Sequence, residues 1–169
     1  MPPLILPLLL ALSGDGQHGA RQASQIDLVD GEPIKLKRLR GGVEASFDGK
    51  TRVLIATPRG TFQISAKTPS LIGASSDGSR IVHNYGDGSG QVYSIAFYQS
   101  RSGNLIDIRK FYGKVMRYSK SIPGCRIRLE EISFLFTRWR SNSVALIRTE
   151  DMSRRAGCSK LNRLWDVSI

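Results

Sequence analysis

The stretch of sequence that decides the fold class is RVLIATPRGTFQIS, residues 52–65. Its first six residues are mostly β-branched or aliphatic, which is typical of a strand. The next three, Pro-Arg-Gly at 58–60, are typical of a tight turn. After the turn, Phe62 and Ile64 alternate with polar residues, as expected of a returning strand with one buried face. The stretch therefore predicts a β-hairpin.

The same alternation extends outward from this hairpin in both directions. Upstream, residues 43–47 alternate before an Asp48-Gly49 pair, which favours a hairpin turn. Further strands are predicted at residues 26–39 (around an Asp30-Gly31 turn), 71–74, 80–85, 92–98, 126–139, 144–148 and 164–169. Many short strands joined by tight turns predict a mainly β fold, with an antiparallel sheet or sandwich architecture.

Residues 105–118 fit two kinds of secondary structure. Apolar residues with helical spacing are Leu105, Ile108, Tyr112 and Val115. Asn104 and Asp107 could cap such a helix, but Gly113 would cost about 1 kcal/mol inside it. Alternation around Ile106 fits a strand equally well. The favoured interpretation is a strand that ends near Phe111, with a short helix as the alternative.

The first 14 residues fit a secretory signal peptide. The apolar run from Leu4 to Leu12 has nine residues, whereas a membrane-spanning helix needs about 20. Ala11 and Ser13 have the small size and spacing of a cleavage site, although no basic residue precedes the apolar run. We therefore predict a signal peptide at 1–14, a flexible junction at 15–25 and one β-rich domain at 26–169. This organisation indicates a periplasmic or secreted protein without a transmembrane span; a disordered apolar tail is the alternative.

The chain contains two cysteines, Cys125 and Cys158. In an oxidising compartment an even number of cysteines indicates pairing. Each follows a glycine, which favours a position in a loop. A bridge between them would close a loop of about 33 residues and stabilise the fold by roughly 3–4 kcal/mol. We predict one disulfide; two separate buried thiols in a cytosolic protein are the alternative.

Positive charge is concentrated in the later part of the chain. The net charge is +11, of which residues 1–100 contribute +2 (10 Lys and Arg against 8 Asp and Glu) and residues 101–169 contribute +9 (15 against 6). Basic and apolar residues alternate there, as in a strand whose solvent-facing side is cationic. Such a surface could also bind an acidic protein or another polyanion. The candidate binding residues are Arg126, Arg128, Arg138, Trp139, Arg140, Arg154 and Arg155.

Two segments share one turn motif: SFDGKTRVL at 46–54 and SSDGSRIV at 75–82. Each resembles the Ser-x-Asp-Gly-x-Arg-hydrophobic turn of β-propeller blades in periplasmic TolB-like proteins. Residues 91–98 and then 102–106 resemble the next strand, turn and strand of one blade. The resemblance covers about 60 residues and implies blade-like meanders. A closed propeller needs at least about four blades of four strands, and this chain has room for about three. The resemblance therefore transfers no function.

Histidine is scarce, which limits the chemistry that the sequence can support. The two histidines are His18, in the predicted junction, and His83, in a predicted strand. A histidine-cluster metal site is therefore excluded, and no metal or cofactor is predicted. His83 could act as a general base, but packing within a strand is the commoner role. Asp87, between two glycines, is expected in a turn because no phosphate-binding lysine follows.

These observations favour an exported, non-enzymatic binding domain that recognises a protein partner, in the manner of an inhibitor or an immunity protein. An acidic partner is the most compatible with the charge. Two alternatives stay open: a module that binds polyanions or the envelope surface, and a small hydrolase that uses His83. Nucleic acid is not expected as the partner of an exported protein.

Overall fold

The computed structural model describes residues 22–66, 69–86, 92–153 and 157–169. The predicted signal peptide at 1–14 and most of the junction at 15–25 lie outside these ranges, as do His18, Asp87, Arg154 and Arg155. Within them the fold is mainly β, with three antiparallel sheets and one α-helix. The fold class predicted from the sequence is therefore confirmed.

The described residues form eleven strands and one α-helix. In chain order these are β1 (Gln25–Leu28), β2 (Ile34–Arg38), β3 (Glu44–Phe47), β4 (Arg52–Thr57), β5 (Gly60–Ser65), β6 (Ser70–Ala74), β7 (Arg80–Gly86), β8 (Tyr93–Gln99), α1 (Arg109–Ser121), β9 (Ile132–Ser141), β10 (Val144–Asp151) and β11 (Arg163–Ser168). The first sheet has the order β2-β3-β4-β5, the central sheet β1-β6-β7-β8 and the third sheet β11-β10-β9.

The first sheet contains the hairpin predicted at residues 52–65. Strands β4 and β5 pair antiparallel along their whole length, with Thr57 opposite Gly60 at the turn. Val53 and Ile55 are completely buried, whereas Leu54 between them is 47% exposed. One face of the sheet therefore packs inward and the other meets solvent, as the period-2 pattern of the sequence requires.

The two segments that share the turn motif, at Asp48-Gly49 and at Asp77-Gly78, form hairpin turns between β3 and β4 and between β6 and β7. The Asp48 carboxylate accepts the backbone N–H groups of residues 50–52, at 2.8–2.9 Å. Asp77 accepts the backbone N–H of Ser79 at 2.9 Å and the hydroxyl of Ser75 at 2.8 Å. These hydrogen bonds hold the pKa of each carboxyl below its usual value, against the opposing effect of desolvation, because they favour the charged form.

The central sheet is buried on both faces, so the described residues form two hydrophobic cores. The first core lies between the first and central sheets, and the second core lies between the central sheet, α1 and the third sheet. Ile72 and Ile81 face the first sheet. Val82 and Phe97 face α1 and the third sheet. Because β7 lies between two packed layers, consecutive residues along it are buried, in contrast to the alternation in β4.

Helix α1 corrects the favoured interpretation of residues 105–111. Leu105 forms only an isolated bridge with Tyr98, and the helix begins at Arg109. Asp107 accepts the backbone N–H of Arg109 at 2.8 Å, which supports the first turn. Phe111 and Val115 are buried against the second core. The helical alternative is therefore correct, because the 3.6-residue apolar stripe finds a core to cover.

The strand predicted from residue 126 also begins later than expected. Residues 126–128 lie outside the sheet, and Leu129–Glu131 form a 3-10 turn before β9 starts at Ile132. The Glu131 carboxylate accepts the backbone N–H of Arg128 at 2.8 Å, which closes this turn. A local side-chain hydrogen bond therefore competes successfully with strand pairing here.

The second core contains the predicted disulfide between Cys125 and Cys158. Their Cα atoms lie 4.8 Å apart, and Cys158 is completely buried. The bridge connects the loop after α1 to the loop before β11. In the part of the chain that the structure describes, no helix is both long and apolar enough to cross a membrane.

Candidate binding site

Strand β9 is irregular where the sequence predicts a binding surface. Its pairing with β10 shifts register twice, which leaves Thr137 and Arg140 without partners on β10. Each extra residue forms a β-bulge, which bends a strand and re-aims the neighbouring side chains. The two bulges lie on either side of Arg138 and Trp139. Along residues 137–141, the side chains therefore do not alternate regularly between the two faces of β9. This segment lies where the three sheets meet.

A cleft of about 370 Å³ lies beside this irregular segment. One wall is the end of β9, and the others come from the chain before β1, the end of β6 and a short turn between β2 and β3. The lining residues are Ser24, Arg40, Ala74, Ser76, Phe136, Arg138, Trp139, Arg140 and Ser141. We call this the arginine cleft. All three sheets contribute to it.

Close contacts between turns hold the walls of the arginine cleft together. Asn142, at the tip of the β9–β10 hairpin, accepts hydrogen bonds from the Ser76 hydroxyl and the Asp77 backbone N–H. Gly41 and Gly78 approach so closely that a Cβ atom on Gly78 would lie 2.3 Å from the carbonyl oxygen of Gly41. Both glycines have positive φ angles. No other residue type fits this contact without displacing a wall.

The arginine cleft has unneutralised positive charge. Arg140 forms an ion pair with Asp166, with Nη1 and Oδ2 at 2.9 Å. Arg40 and Arg138 are exposed, and neither contacts a carboxylate in the described ranges. None of the described residues that line the cleft is acidic. Two guanidinium groups are therefore available to an anionic ligand.

Trp139 provides the aromatic wall of the arginine cleft. Its ring packs edge-on against Phe97 and at a tilt against Phe136, each with centroids 5.7 Å apart. Its indole Nε1 is buried and has no hydrogen-bond acceptor among the residues that the structure describes. A buried donor without an acceptor costs about 1–3 kcal/mol. Trp139 is therefore fixed by packing, with its hydrogen-bonding capacity unused.

The candidate binding residues do not form one surface. Arg138, Trp139 and Arg140 share the arginine cleft. Arg126 and Arg128 lie instead near the disulfide, in a depression shared with Lys120 and Cys125. Arg128 also lies 3.9 Å from Glu130 across an exposed ion pair. Arg154 and Arg155 are outside the described residues.

Sequence reasoning missed Arg40, which comes from the other end of the chain. It precedes the pair of glycines at 41 and 42, both with positive φ. That pair is a signal for a tight turn. The two glycines therefore predict a turn at Arg40. They do not predict that this turn lies beside β9, because that position depends on the contact between Gly41 and Gly78.

His83 lies at the centre of the protein and is only 2% exposed. It packs against Tyr85 with ring centroids 4.8 Å apart, and its Nε2 has no hydrogen-bond partner among the described residues. Burial lowers the pKa of His83 from its ordinary value of 6.5 to about 4, because desolvation disfavours the charged ring. His83 therefore packs as a neutral residue, away from the arginine cleft.

The buried ring of His83 should make the protein sensitive to acid. Below about pH 6.5, His83 binds a proton in the unfolded chain, whereas in the folded protein it binds one only near pH 4. The contribution of His83 is fully present above that window and lost through it, about 3 kcal/mol in all. Urea unfolding near pH 7 and near pH 4 should show this loss in the wild type but not in His83→Leu. Equal losses in both proteins would contradict the prediction.

The fold and the cleft together define a class: a β domain of three packed sheets with a cationic cleft where the sheets meet. Among the described residues, no three His, Cys, Asp or Glu side chains converge as metal ligands. No protein-family model matches the chain, and no curated protein or solved structure is significantly similar to it. Its function is therefore interpreted from the geometry of the cleft.

Proposed function

We propose that this protein is an exported, non-enzymatic binding domain that recognises a protein partner through an acidic segment of that partner. The observation on which the proposal depends is the arginine cleft. It contains two guanidinium groups without carboxylate partners, those of Arg40 and Arg138, beside the ring of Trp139. The partner's carboxylate would occupy the position that no side chain of the described chain fills.

The chemistry of the cleft favours a carboxylate. A guanidinium group presents a planar fork of N–H donors that matches the two oxygens of a carboxylate, and such charge-assisted bonds are stronger than neutral ones. The volume of about 370 Å³ is at the small end of ligand pockets. It has room for one or two side chains of a partner. A segment of a protein surface therefore fits better than a large cofactor.

Two features support export. The disulfide between Cys125 and Cys158 belongs to the chemistry of oxidising compartments. The apolar residues 4–12 have the length of the hydrophobic region of a signal peptide. We accordingly propose that residues 1–14 are removed and that the domain acts in the periplasm or outside the cell.

The alternative of a small hydrolase has less support. A general base needs hydrogen-bonding distance to the proton it abstracts. His83 is buried in the central sheet, and its Nε2 makes no hydrogen bond to any described residue. The described residues that line the arginine cleft include serines at positions 24, 76 and 141, and none of them is a histidine. The geometry favours recognition over covalent catalysis.

The proposal predicts that Arg40→Ala combined with Arg138→Ala abolishes partner binding. Loss of two charge-assisted interactions should weaken affinity by roughly 100-fold. The measurement uses immobilised wild-type and variant protein, extract from the native host at physiological salt, and quantitative mass spectrometry of what is retained. The affinity for an identified partner is then measured by calorimetry. Both residues are exposed, so the variant should fold as well as the wild type.

Lys35→Ala combined with Lys50→Ala is the matched control. Both lysines are exposed on the first sheet, and their removal lowers the net charge by the same amount. A partner retained by the wild type and by this control, but lost from the cleft variant, supports the proposal. Two results contradict it: no retained protein, or equal loss from both double variants. Inorganic phosphate that binds the cleft as tightly as any protein would indicate a small-anion site instead.

A further inference from the structure

The solvent-facing side of α1 is cationic along its whole length. The helix sequence is RKFYGKVMRYSKS, with five basic residues and no acidic one. Phe111 and Val115 are buried against the second core, so the apolar side of the helix is already covered. The exposed basic residues are Arg109, Lys110, Lys114, Arg117 and Lys120. Their helical spacing places them on one face.

None of the acidic side chains in residues 101–169 forms an ion pair with Lys110, Lys114, Arg117 or Lys120. Asp107 forms an ion pair with Arg109 at 2.7 Å. The other acidic residues are engaged elsewhere: Glu130 with Arg128, Glu131 with the backbone of Arg128, Glu150 with Arg148, Asp151 with Ser153, and Asp166 with Arg140. The row from Lys110 to Lys120, about 15 Å long, therefore has no ion-pair partner among the described carboxylates, although Lys110 also interacts electrostatically with Asp107.

Strand β11 extends this charged surface beside the helix. The guanidinium of Arg163 lies 4.7 Å from the ring centroid of Trp165 and 4.8 Å from that of Tyr118. The ammonium of Lys114 lies 5.6 Å from the centroid of Trp165. These cation–π contacts hold the positive charges of Lys114 and Arg163 close together beside Trp165. We call Lys110, Lys114, Arg117, Lys120 and Arg163 the basic face.

We propose that the basic face binds the anionic headgroups of a lipid bilayer and attaches the domain to a membrane surface. A straight row of basic side chains on a helix whose other side is packed can lie along a flat, negatively charged surface without rearrangement. Lysine stems suit this environment because they contact apolar material while the ammonium group stays hydrated. Each basic residue near such a surface contributes about 1 kcal/mol.

The geometry favours a bilayer over nucleic acid. Single-stranded nucleic acid binds to basic grooves that expose aromatic rings for base stacking. Here Trp165 is only 6% exposed, and Lys114 and Arg163 already contact its ring. Leu105, which is 69% exposed, lies close to the start of the helix. An exposed leucine beside basic residues suits the interface of a bilayer.

Flotation with lipid vesicles tests this proposal on the full chain. The vesicles are made of equal parts of phosphatidylcholine and phosphatidylglycerol, and pure phosphatidylcholine vesicles are the neutral reference. The test variant is Lys110→Gln, Arg117→Gln, Lys120→Gln, which keeps good helix formers in α1. It should partition roughly 100-fold more weakly than the wild type onto the anionic vesicles. Wild-type binding should also fall steeply with added salt.

The matched control is Lys35→Gln, Lys37→Gln, Lys50→Gln, which removes the same charge from the first sheet. It should bind vesicles nearly as well as the wild type. The cleft variant Arg40→Ala, Arg138→Ala should also bind them, so failure of the cleft proposal and failure of this one are distinguishable. Equal losses in the helix variant and the control, equal binding to neutral vesicles, or tighter binding to a DNA duplex at the same salt would each overturn the proposal.

Discussion

Replacement of both cysteines, Cys125→Ser with Cys158→Ser, is expected to lower the free energy of unfolding by about 4 kcal/mol. The bridge closes a loop with a sequence separation of 33. In the chain-entropy model, opening a loop of this size releases about 3–4 kcal/mol of unfolded-state entropy. Cys158 is completely buried in the second core, so a serine hydroxyl there adds a desolvation cost. The total is a large share of the stability of an ordinary domain.

Urea unfolding of the wild type and the double variant, in the absence of reductant, measures this loss. The wild type with excess reductant is the matched control, because it loses the same cross-link while keeping sulfur in the core. It should approach the stability of the variant and exceed it only by the cost of the buried hydroxyl groups. A difference below about 1 kcal/mol between oxidised and reduced wild type would show that the bridge contributes little.

The strand pattern was predictable because it depends on local chemistry. In β4 and β5 the period-2 alternation and the Pro-Arg-Gly turn agree with the final structure. Asp48 and Asp77 determine their turns through hydrogen bonds to residues at most four positions away. Interactions of this range can be read from one sequence, since they need no knowledge of distant contacts.

Residues 105–131 show where local patterns become ambiguous. The apolar residues of 105–115 fit either a strand or a helix, and the core beside α1 decides between them. Residues 126–129 alternate basic and apolar, but only Ile127 is buried, since Leu129 is 37% exposed. They nevertheless form no strand, because the Glu131 side chain closes a 3-10 turn. An alternating sequence pattern alone is therefore insufficient evidence for a sheet.

The arginine cleft was only partly predictable. Trp139 between two arginines indicated a binding segment, and the structure places all three at the cleft. Arg40 could not be assigned to it, because its position depends on the contact between Gly41 and Gly78. The bulges at Thr137 and Arg140 account for the two extra residues of β9, which has ten residues against eight in β10. Such features depend on tertiary packing.

The position of β9 itself depends on one buried amide of the central sheet. Asn84 is 5% exposed, and its Nδ2 donates to the carbonyl oxygens of Ser94 at 2.7 Å and Phe134 at 2.8 Å. Its Oδ1 accepts the backbone N–H of Phe136 at 2.9 Å. Strand β9 is at the edge of the third sheet. The carbonyl of Phe134 and the N–H of Phe136 therefore hydrogen-bond to the Asn84 side chain and not to another described strand. Asn84 therefore provides hydrogen-bond partners for the edge of β9 just before the segment of this strand that lines the arginine cleft.

Asn84→Ala is accordingly expected to lower the free energy of unfolding by about 3–5 kcal/mol. The variant leaves a buried N–H and two carbonyl groups without partners and creates a small cavity. Asn104→Ala is the matched control, since Asn104 is exposed and its loss should change stability by about 0.5 kcal/mol or less. Urea unfolding measures both variants. A loss below about 1 kcal/mol in Asn84→Ala would contradict the assignment.

Asn84→Asp separates the hydrogen bonds of Asn84 from its packing. Aspartate has nearly the same shape and keeps the acceptor for Phe136, but when ionised it replaces the two donations with repulsion between its carboxylate and two carbonyl oxygens. We expect Asn84→Asp to be about as unstable as Asn84→Ala near neutral pH. In acid the protonated carboxyl can donate again, so the variant should recover stability relative to the wild type at the same pH. If Asn84→Asp instead matched the wild type near neutral pH, the amide would act only by filling space, and β9 would be held by the packing of Phe134 and Phe136 alone.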